Sequence, residues 1–462
     1  MSIPTAAEQV PGPMMATRPR IPDTIAETGL TPEAIIELTL KTLYVQGARS
    51  GQELVESIRL PFSILDELLL TLQHQRLVEV KRTVGAGRGG YIFDLTGAGG
   101  DRAREAMAAC QYVGPAPVPL DQYRVWIERQ SVSNLHVTRE RLFAAFADLV
   151  LDPAFVESLG PAVNSAKSVF IFGDSGNGKT MMAEVIAGLL GGSFYLPYAV
   201  DIGGQIMVVF DPVYHRLVGS DDDGGTASSQ DPQWLRDVPD YDRRFARVLR
   251  PVVITGGELT LEQLDLQYDR DAKVYQAPFQ VKANGGVLIL DDFGRQRVPP
   301  RDLLNRWIMP LEKRIDYLTL HTGAKFPVPF ESLVIFATNL DPEQLVEEAF
   351  LRRIHYKVRA LSPTRAQYEE IFRRCAVARQ IPYDPEGVAQ VYRDFYEAHG
   401  IAPRGCHPRD LTDHVCDIAR FLGVEPTLSH DLLDRACRSY FLDASEQYDK
   451  ELGVLQRERT YE

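Results

Sequence analysis

The sequence predicts an α/β fold built on a parallel sheet, with a helical region behind it and a small separate domain in front. Three observations predict it. Residues 168–172, 287–290 and 332–338 are short apolar runs, each closing on glycine or polar residues, as parallel strands buried on both faces do. A glycine-rich stretch follows the first run, and a good helix former, residues 181–190, follows the glycines. From Leu361 onward the pattern is helical, over 364–379, 384–400, 408–422 and 429–443.

At the front, residues 1–25 are rich in Pro and Ala and are expected to be a disordered tail. Residues 26–110 should form a domain of their own. Pro32 to Gln46 is a first helix, Ser50 caps a second that runs to Arg59, and 61–74 is a third. In the third, Ile64, Leu65, Leu68, Leu69 and Leu72 recur at helical spacing. Residues 77–82 and 90–95 then pair as a hairpin across a glycine-rich wing, the pattern of a winged helix-turn-helix. A major-groove reader needs Arg, Lys, Asn or Gln near the front of its third helix. This helix offers Asp66 and Glu67 and nothing basic before Arg76, and acidic residues outnumber basic ones across the domain. Nucleic acid is therefore disfavoured, and a protein-docking or dimerising module is expected. Residues 111–140 follow as a proline-rich linker and a lead-in helix.

Residues 141–360 carry the chemistry. Residues 173 to 180 read Gly-Asp-Ser-Gly-Asn-Gly-Lys-Thr, matching G-x-x-x-x-G-K-[ST] at every fixed position. Gly173, Gly176 and Gly178 let the backbone curl so that its N–H groups face phosphate oxygens, with Asp174, Ser175 and Asn177 between them. Lys179 adds a positive charge for the β- and γ-phosphates, and Thr180 supplies a hydroxyl for Mg²⁺. The run 287–290 ends in Asp291 and Asp292, carboxylates delivered where ligands sit in open α/β sheets. Asp291 would hold Mg²⁺ through water, and Asp292 would orient and deprotonate the attacking water. The run 332–338 ends at Asn339, whose amide can hold that water or touch the γ-phosphate. Residues 347–354 predict a helix end carrying Arg352 and Arg353, and Arg409 falls in the first turn of a later helix.

In this order the elements resemble the AAA+ ATPases over roughly residues 141 to 445. The resemblance implies a P-loop NTPase sheet (141–360) with an α-helical lid (361–445), leaving 446–462 as a tail. It implies that Gly173 to Thr180 is Walker A, Asp291 and Asp292 are Walker B, and Asn339 is sensor 1. Arg353, in preference to Arg352, is then the arginine finger and Arg409 is sensor 2. The implied cofactors are ATP and Mg²⁺, with Thr180 and Asp291 on the metal. The guanine signature N-K-x-D is absent, which favours ATP over GTP. Residues 315–330 read as strand, turn at Thr322-Gly323, strand, placed just before the Asn339 strand. That hairpin, and the stretch 279–286, resemble the branch containing MoxR-type ATPases, magnesium chelatases and σ54 activators. The σ54 activator loop Gly-Ala-Phe-Thr-Gly-Ala is absent, which excludes that function.

Two features depart from the family. Walker B is Asp-Asp where most members have Asp-Glu, and the shorter Asp292 predicts slow turnover. The stretch from Lys179 to Asp291 is also much longer than one strand-helix pair requires. It includes an acidic, glycine-rich segment at 219–229, expected to be a flexible loop, flanked by β-rich residues 205–210 and 250–254. A surface facing a substrate and a plain elaboration are both open for this insert.

Composition bounds the rest. The chain has 462 residues, 45% hydrophobic and 24% charged, as expected of a globular protein with about three domains. No apolar run is long enough to span a bilayer and no signal pattern opens the chain, so a cytoplasmic protein without membrane insertion is expected. The net charge of −13 argues against bulk attraction to nucleic acid. Five irregularly spaced cysteines suit a reducing compartment, and the spacing of Cys406, His407, His414 and Cys416 fits no compact zinc site. The expectation is an ATP hydrolase working as a homo-oligomeric ring, a hexamer, that remodels a protein partner. The competing expectation is a slow or inactive ATP-dependent switch whose winged helix binds DNA or a regulator.

Overall fold

The computed structural model describes residues 18–84, 87–218, 240–341 and 352–441. Its centre is a five-stranded sheet in which every pair is parallel. In chain order its strands are β1 (Val169–Phe172), β2 (Val252–Thr255), β3 (Val287–Leu290), β4 (Leu333–Thr338) and β5 (Tyr356–Arg359). In space they run β2-β3-β4-β1-β5. The α/β class read from the sequence is the class observed.

Alternation along each strand sends its side chains to opposite faces of the sheet. Val169, Ile171, Val287, Ile289, Leu333 and Ile335 pack on one face against helices Pro153–Asn164 and Lys179–Leu189. Phe170, Leu288, Leu290, Val334 and Phe336 pack on the other, with Phe293, Leu303 and Trp307. There Phe336 stacks on Phe170 and meets the edge of Phe293, with ring centroids 5.9 and 5.0 Å apart. This aromatic cluster lies directly beneath the carboxyl ends of β1, β3 and β4, so it braces whatever those ends carry.

Most elements fall where the periodicity puts them. Helices span Pro32–Gln46, Gly51–Ile58 and Phe62–His74, and strands Val78–Thr83 and Tyr91–Leu95 pair antiparallel. Ser50 closes a reciprocal capping box with Glu53. The hairpin before β4 is Ile315–Thr319 with Lys325–Pro329. After β5 in the chain come helices Arg365–Arg379, Pro385–Val391, His407–Leu422 and His430–Tyr440, joined in one apolar core.

Three expectations need correction. Residues 250–254 do not flank an insert, because Val252–Thr255 is the edge strand of the central sheet, paired with β3. The insert is instead a second mixed sheet, with strands at Ala199–Ile202, Gln205–Val208, Gln267–Asp269 and Val274–Gln276. The proline-rich stretch is not a free linker. Val118–Pro119 pairs on the outer edge of that second sheet, a place that tolerates a residue without an N–H. Its neighbour Ala116 donates its N–H to Ile58 O at 2.7 Å. Residues 18–24, read as tail, are also engaged, with Asp242 N–H donating to Pro19 O at 2.8 Å. Residues 1–17, the acidic segment 219–229, 442–462 and most of the expected 347–354 helix lie outside the described residues.

The second sheet, the lead-in helix Leu120–Arg129 and the hairpin before β4 share one core. Tyr123, Ile127, Val200, Met207, Tyr275, Leu318 and Val328 are buried together there. Arg244 ties this body to the front of the chain. Among the described residues no helix is long and apolar enough to cross a membrane.

Candidate nucleotide-binding site

The site is assembled where β1, β3 and β4 end. After β1 the chain turns sharply at Gly173, whose φ is +139°. A Cβ there would stand 2.3 Å from the Ala360 carbonyl oxygen, so no larger residue fits. The loop then curls to Gly178, which caps helix Lys179–Leu189. The Lys179 ammonium donates to the carbonyls of Gly173 and Asp174, both at 2.9 Å, so it lies across the loop's concavity. Burial lowers the pKa of Lys179, and nearby Asp291, Asp292 and Asp174 oppose that shift.

Beside it, the Thr180 hydroxyl donates to Asp291 Oδ2 at 2.8 Å. The other carboxylate oxygen, Oδ1, accepts the Asp292 N–H at 3.0 Å. This pairing joins the loop to the end of β3 across 111 residues of chain. Asp292 is exposed and sits in the left-handed region, with φ +47°. The reason lies on either side of it. Asp291 ends a buried strand, while Phe293 must return to the aromatic core, where it is fully buried. Phe293 N–H donates to Ala337 O at 2.8 Å and the Thr338 hydroxyl donates to Phe293 O at 2.6 Å. The single residue between must reverse the chain. Asp is among the few L-residues that tolerate this conformation. The departure from Asp-Glu thus has a backbone cause.

Asn339 follows β4, and its Oδ1 is buried without a hydrogen-bond partner. An orphaned acceptor beside the glycine-rich loop is what a bound water or metal-bound ligand would satisfy. With Lys179, the Thr180–Asp291 pair and the loop amides, the donor set fits Mg-ATP.

The structure does not bring every predicted residue here. Arg353 lies at the opposite end of β1, where the Ser168 hydroxyl donates to its carbonyl at 3.3 Å. A four-residue strand spans about 13 Å, so Arg353 faces away from its own loop. Its guanidinium meets Glu312 at 2.5 Å. Arg352 stands beside it in sequence, just after the undescribed stretch. Arg409 lies in the first turn of helix His407–Leu422, three residues after Cys406, whose N–H donates to Gly176 O at 2.8 Å. It is paired with Asp410, Nε to Oδ1, at 3.0 Å. Among the described residues, Arg404, Gly405 and Cys406 in the turn before helix His407–Leu422 touch the loop, as does Ser362. A Cβ on Gly176 would come within 3.5 Å of the Arg404 side chain and 2.5 Å of Cys406 Sγ. Arg404 sits one short turn before helix His407–Leu422, and no local sequence signal separated it from Arg409. Gln296 was also missed. Its Nε2 donates to Asp291 O at 3.0 Å and its Oε1 accepts the Gly294 N–H at 2.7 Å, pinning the reversal after Asp292.

His407 supports the Arg404 turn. Its Nδ1 accepts the Arg404 N–H at 3.3 Å and lies 3.0 Å from the Tyr396 hydroxyl, which in turn accepts from Tyr368 at 2.9 Å. That chain leaves the ring proton on Nε2. Burial, reinforced by Arg404, pushes the His407 pKa down to about 4. The unfolded chain protonates near pH 6.5. Folding stability should therefore fall as pH drops from about 6.5 to about 4, because there only the unfolded state gains the proton. Thermal midpoints should drop less across this window for His407→Gln than for wild type; equal drops would remove His407 from the account.

Residues 364–439 match the family described as "Domain of unknown function (DUF8689)". No curated protein matches the chain. Among solved structures, the chain is similar to NtrX from Brucella abortus in complex with ATP. The identity is 16% and the TM-score 0.37, over 66% of this chain and 61% of that one. A second structure of the same protein gives 14% identity and a TM-score of 0.40, covering 70% and 65%. The chain thus spans less than two thirds of either NtrX chain. RuvB from Thermotoga maritima, a Holliday junction branch migration motor, gives 13% identity and a TM-score of 0.33, covering 68% and 73%.

Proposed function

We propose that this chain is an ATP-binding ATPase of the AAA+ type, with Mg-ATP held between the parallel sheet and the helical lid. The observation that carries the reading is the Thr180–Asp291 hydrogen bond beside a lysine that bridges the phosphate loop. Thr180 and Asp291 would hold Mg²⁺, which supplies charge neutralisation at the phosphates. Asp292 would orient and deprotonate the attacking water, and Asn339 would hold it. Arg404, in place of Arg409, would reach the phosphates from the lid.

Arg353 faces away from its own loop, which supports a role in a neighbouring site and hence a ring, a hexamer by family resemblance. The front of the chain supports a winged-helix reading, with three helices and a hairpin in the expected order. Its third helix is unsuited to DNA, because Asp66 already accepts from Arg88 of the wing at 2.7 Å. A protein-docking module is the better reading, and a remodelled protein partner in the cytoplasm follows from it.

The test is ATP hydrolysis against protein concentration. Specific activity should rise with concentration, and Arg353→Ala should lower it about 1,000-fold. Arg404→Ala should cost about 100-fold. Arg409→Ala should stay within about twofold, since exposed ion pairs contribute little. ATP binding without turnover in the wild type would replace the motor by an ATP-gated switch.

A further inference from the structure

The phosphate loop is also in contact with the lid turn, and one side chain takes a particular part in that contact. In a loop of this kind the phosphates are held by backbone N–H groups, so the side chain at a variable position is free for other work. Asn177 is such a position, yet it is 6% exposed. Its Oδ1 accepts the Gly405 N–H at 3.2 Å, and its Nδ2 donates to Ser362 Oγ at 3.3 Å. Beside it, Gly176 O accepts the Cys406 N–H at 2.8 Å. Ser362 lies in the hinge between β5 and helix Arg365–Arg379, and Gly405 and Cys406 lie in the turn that carries Arg404. A single amide thus spans the phosphate loop, the hinge and the lid turn.

We propose that Asn177 is the positioning residue that makes the lid follow the phosphate loop, so that occupancy of the loop is transmitted to Arg404 and helix His407–Leu422. This rests on the ATP-binding reading above. A shift of the loop backbone around phosphate moves the amide, and the amide has hydrogen bonds to the hinge and to the lid turn. Without it, the Gly176–Cys406 bond would be what remains, among the described residues, to join loop and lid turn.

The test uses the full chain with ATP and Mg²⁺ as the probe. Wild type, Asn177→Ala, Ser362→Ala and Lys179→Ala are compared for ATP affinity, for kcat, and for backbone hydrogen exchange over residues 401–411 with and without ATP. Asn177→Ala should bind ATP within about threefold of wild type while kcat falls about 10-fold, or ~1.4 kcal/mol. ATP should slow exchange of the lid turn in wild type and not in Asn177→Ala. Ser362→Ala, which loses one bond and leaves the loop intact, should show about half the effect on exchange. If ATP slows exchange equally in wild type and Asn177→Ala, the proposal is overturned while ATP binding stands. If Asn177→Ala loses affinity as severely as Lys179→Ala, Asn177 is a phosphate ligand instead. A wild type that binds no ATP removes both readings.

Discussion

Replacing Asp292 with asparagine is expected to lower ATP turnover by two to four orders of magnitude, about what a positioned general base contributes. ATP affinity should stay within about threefold, because Lys179, Thr180 and Asp291 are untouched. Asparagine has the shape of aspartate and shares its tolerance of positive φ, so the reversal at φ +47° should survive. Glutamate is the informative counter-substitution. It is the commoner acid at this place in the family that the motifs resemble, yet here it would enter the left-handed region without the short side chain that eases it. Asp292→Glu should therefore cost up to about 1 kcal/mol of stability and should not raise turnover. Single-turnover hydrolysis with thermal unfolding separates the two effects. Undiminished turnover in Asp292→Asn would take the base away from Asp292.

The largest stability effect is expected at Arg244, which is 2% exposed and paired with Asp242, itself 3% exposed. Its Nη2 donates to Asp242 Oδ2 at 2.7 Å, and its Nη1 donates to Thr28 O at 2.8 Å. Asp242 in turn holds Pro19 through its backbone. The pair therefore clamps the front of the chain onto the start of strand Phe245–Leu249, which pairs with Ser193–Pro197. Arg244→Ala would leave a buried carboxylate without its partner, at a cost of about 3–5 kcal/mol. Replacing both charges, Arg244→Met with Asp242→Leu, should recover much of that loss, because no lone charge stays buried. The remaining deficit should be about 1–3 kcal/mol, for the unpaired Thr28 carbonyl. Urea unfolding of the three variants checks this. Equal loss in the single and double variants would mean that packing, not the buried charge, sets the cost.

What could be read from the chain followed the range of the interactions. The phosphate loop, β1 and the helix after it are contiguous, so their glycines, apolar run and helix formers announce one another. Ser50 caps its helix within three residues and was equally legible. Pairing partners were not. Residues 252–255 and 205–208 both look like short apolar strands, yet one is the edge of the central sheet and the other belongs to the insert. Strand propensity says nothing about which sheet a strand joins, because register and partner are decided by distant residues.

The same division holds at the site. The sequence by itself determined the residue types: three glycines, a lysine and a threonine in one loop, two acids after an apolar strand, an amide after another. Their chemistry is local to those side chains. Only the tertiary structure decided their company. It placed Thr180 against Asp291, turned Asp292 into a left-handed corner because Phe293 is drawn into the aromatic core, and set Arg353 beside the far end of β1. It also set Arg404 against Gly176 of the loop, a contact that the spacing of arginines on the helix approach cannot reveal. A contact across more than two hundred residues depends on how the C-terminal helices pack, and that packing energy is distributed over a whole core rather than written in any motif.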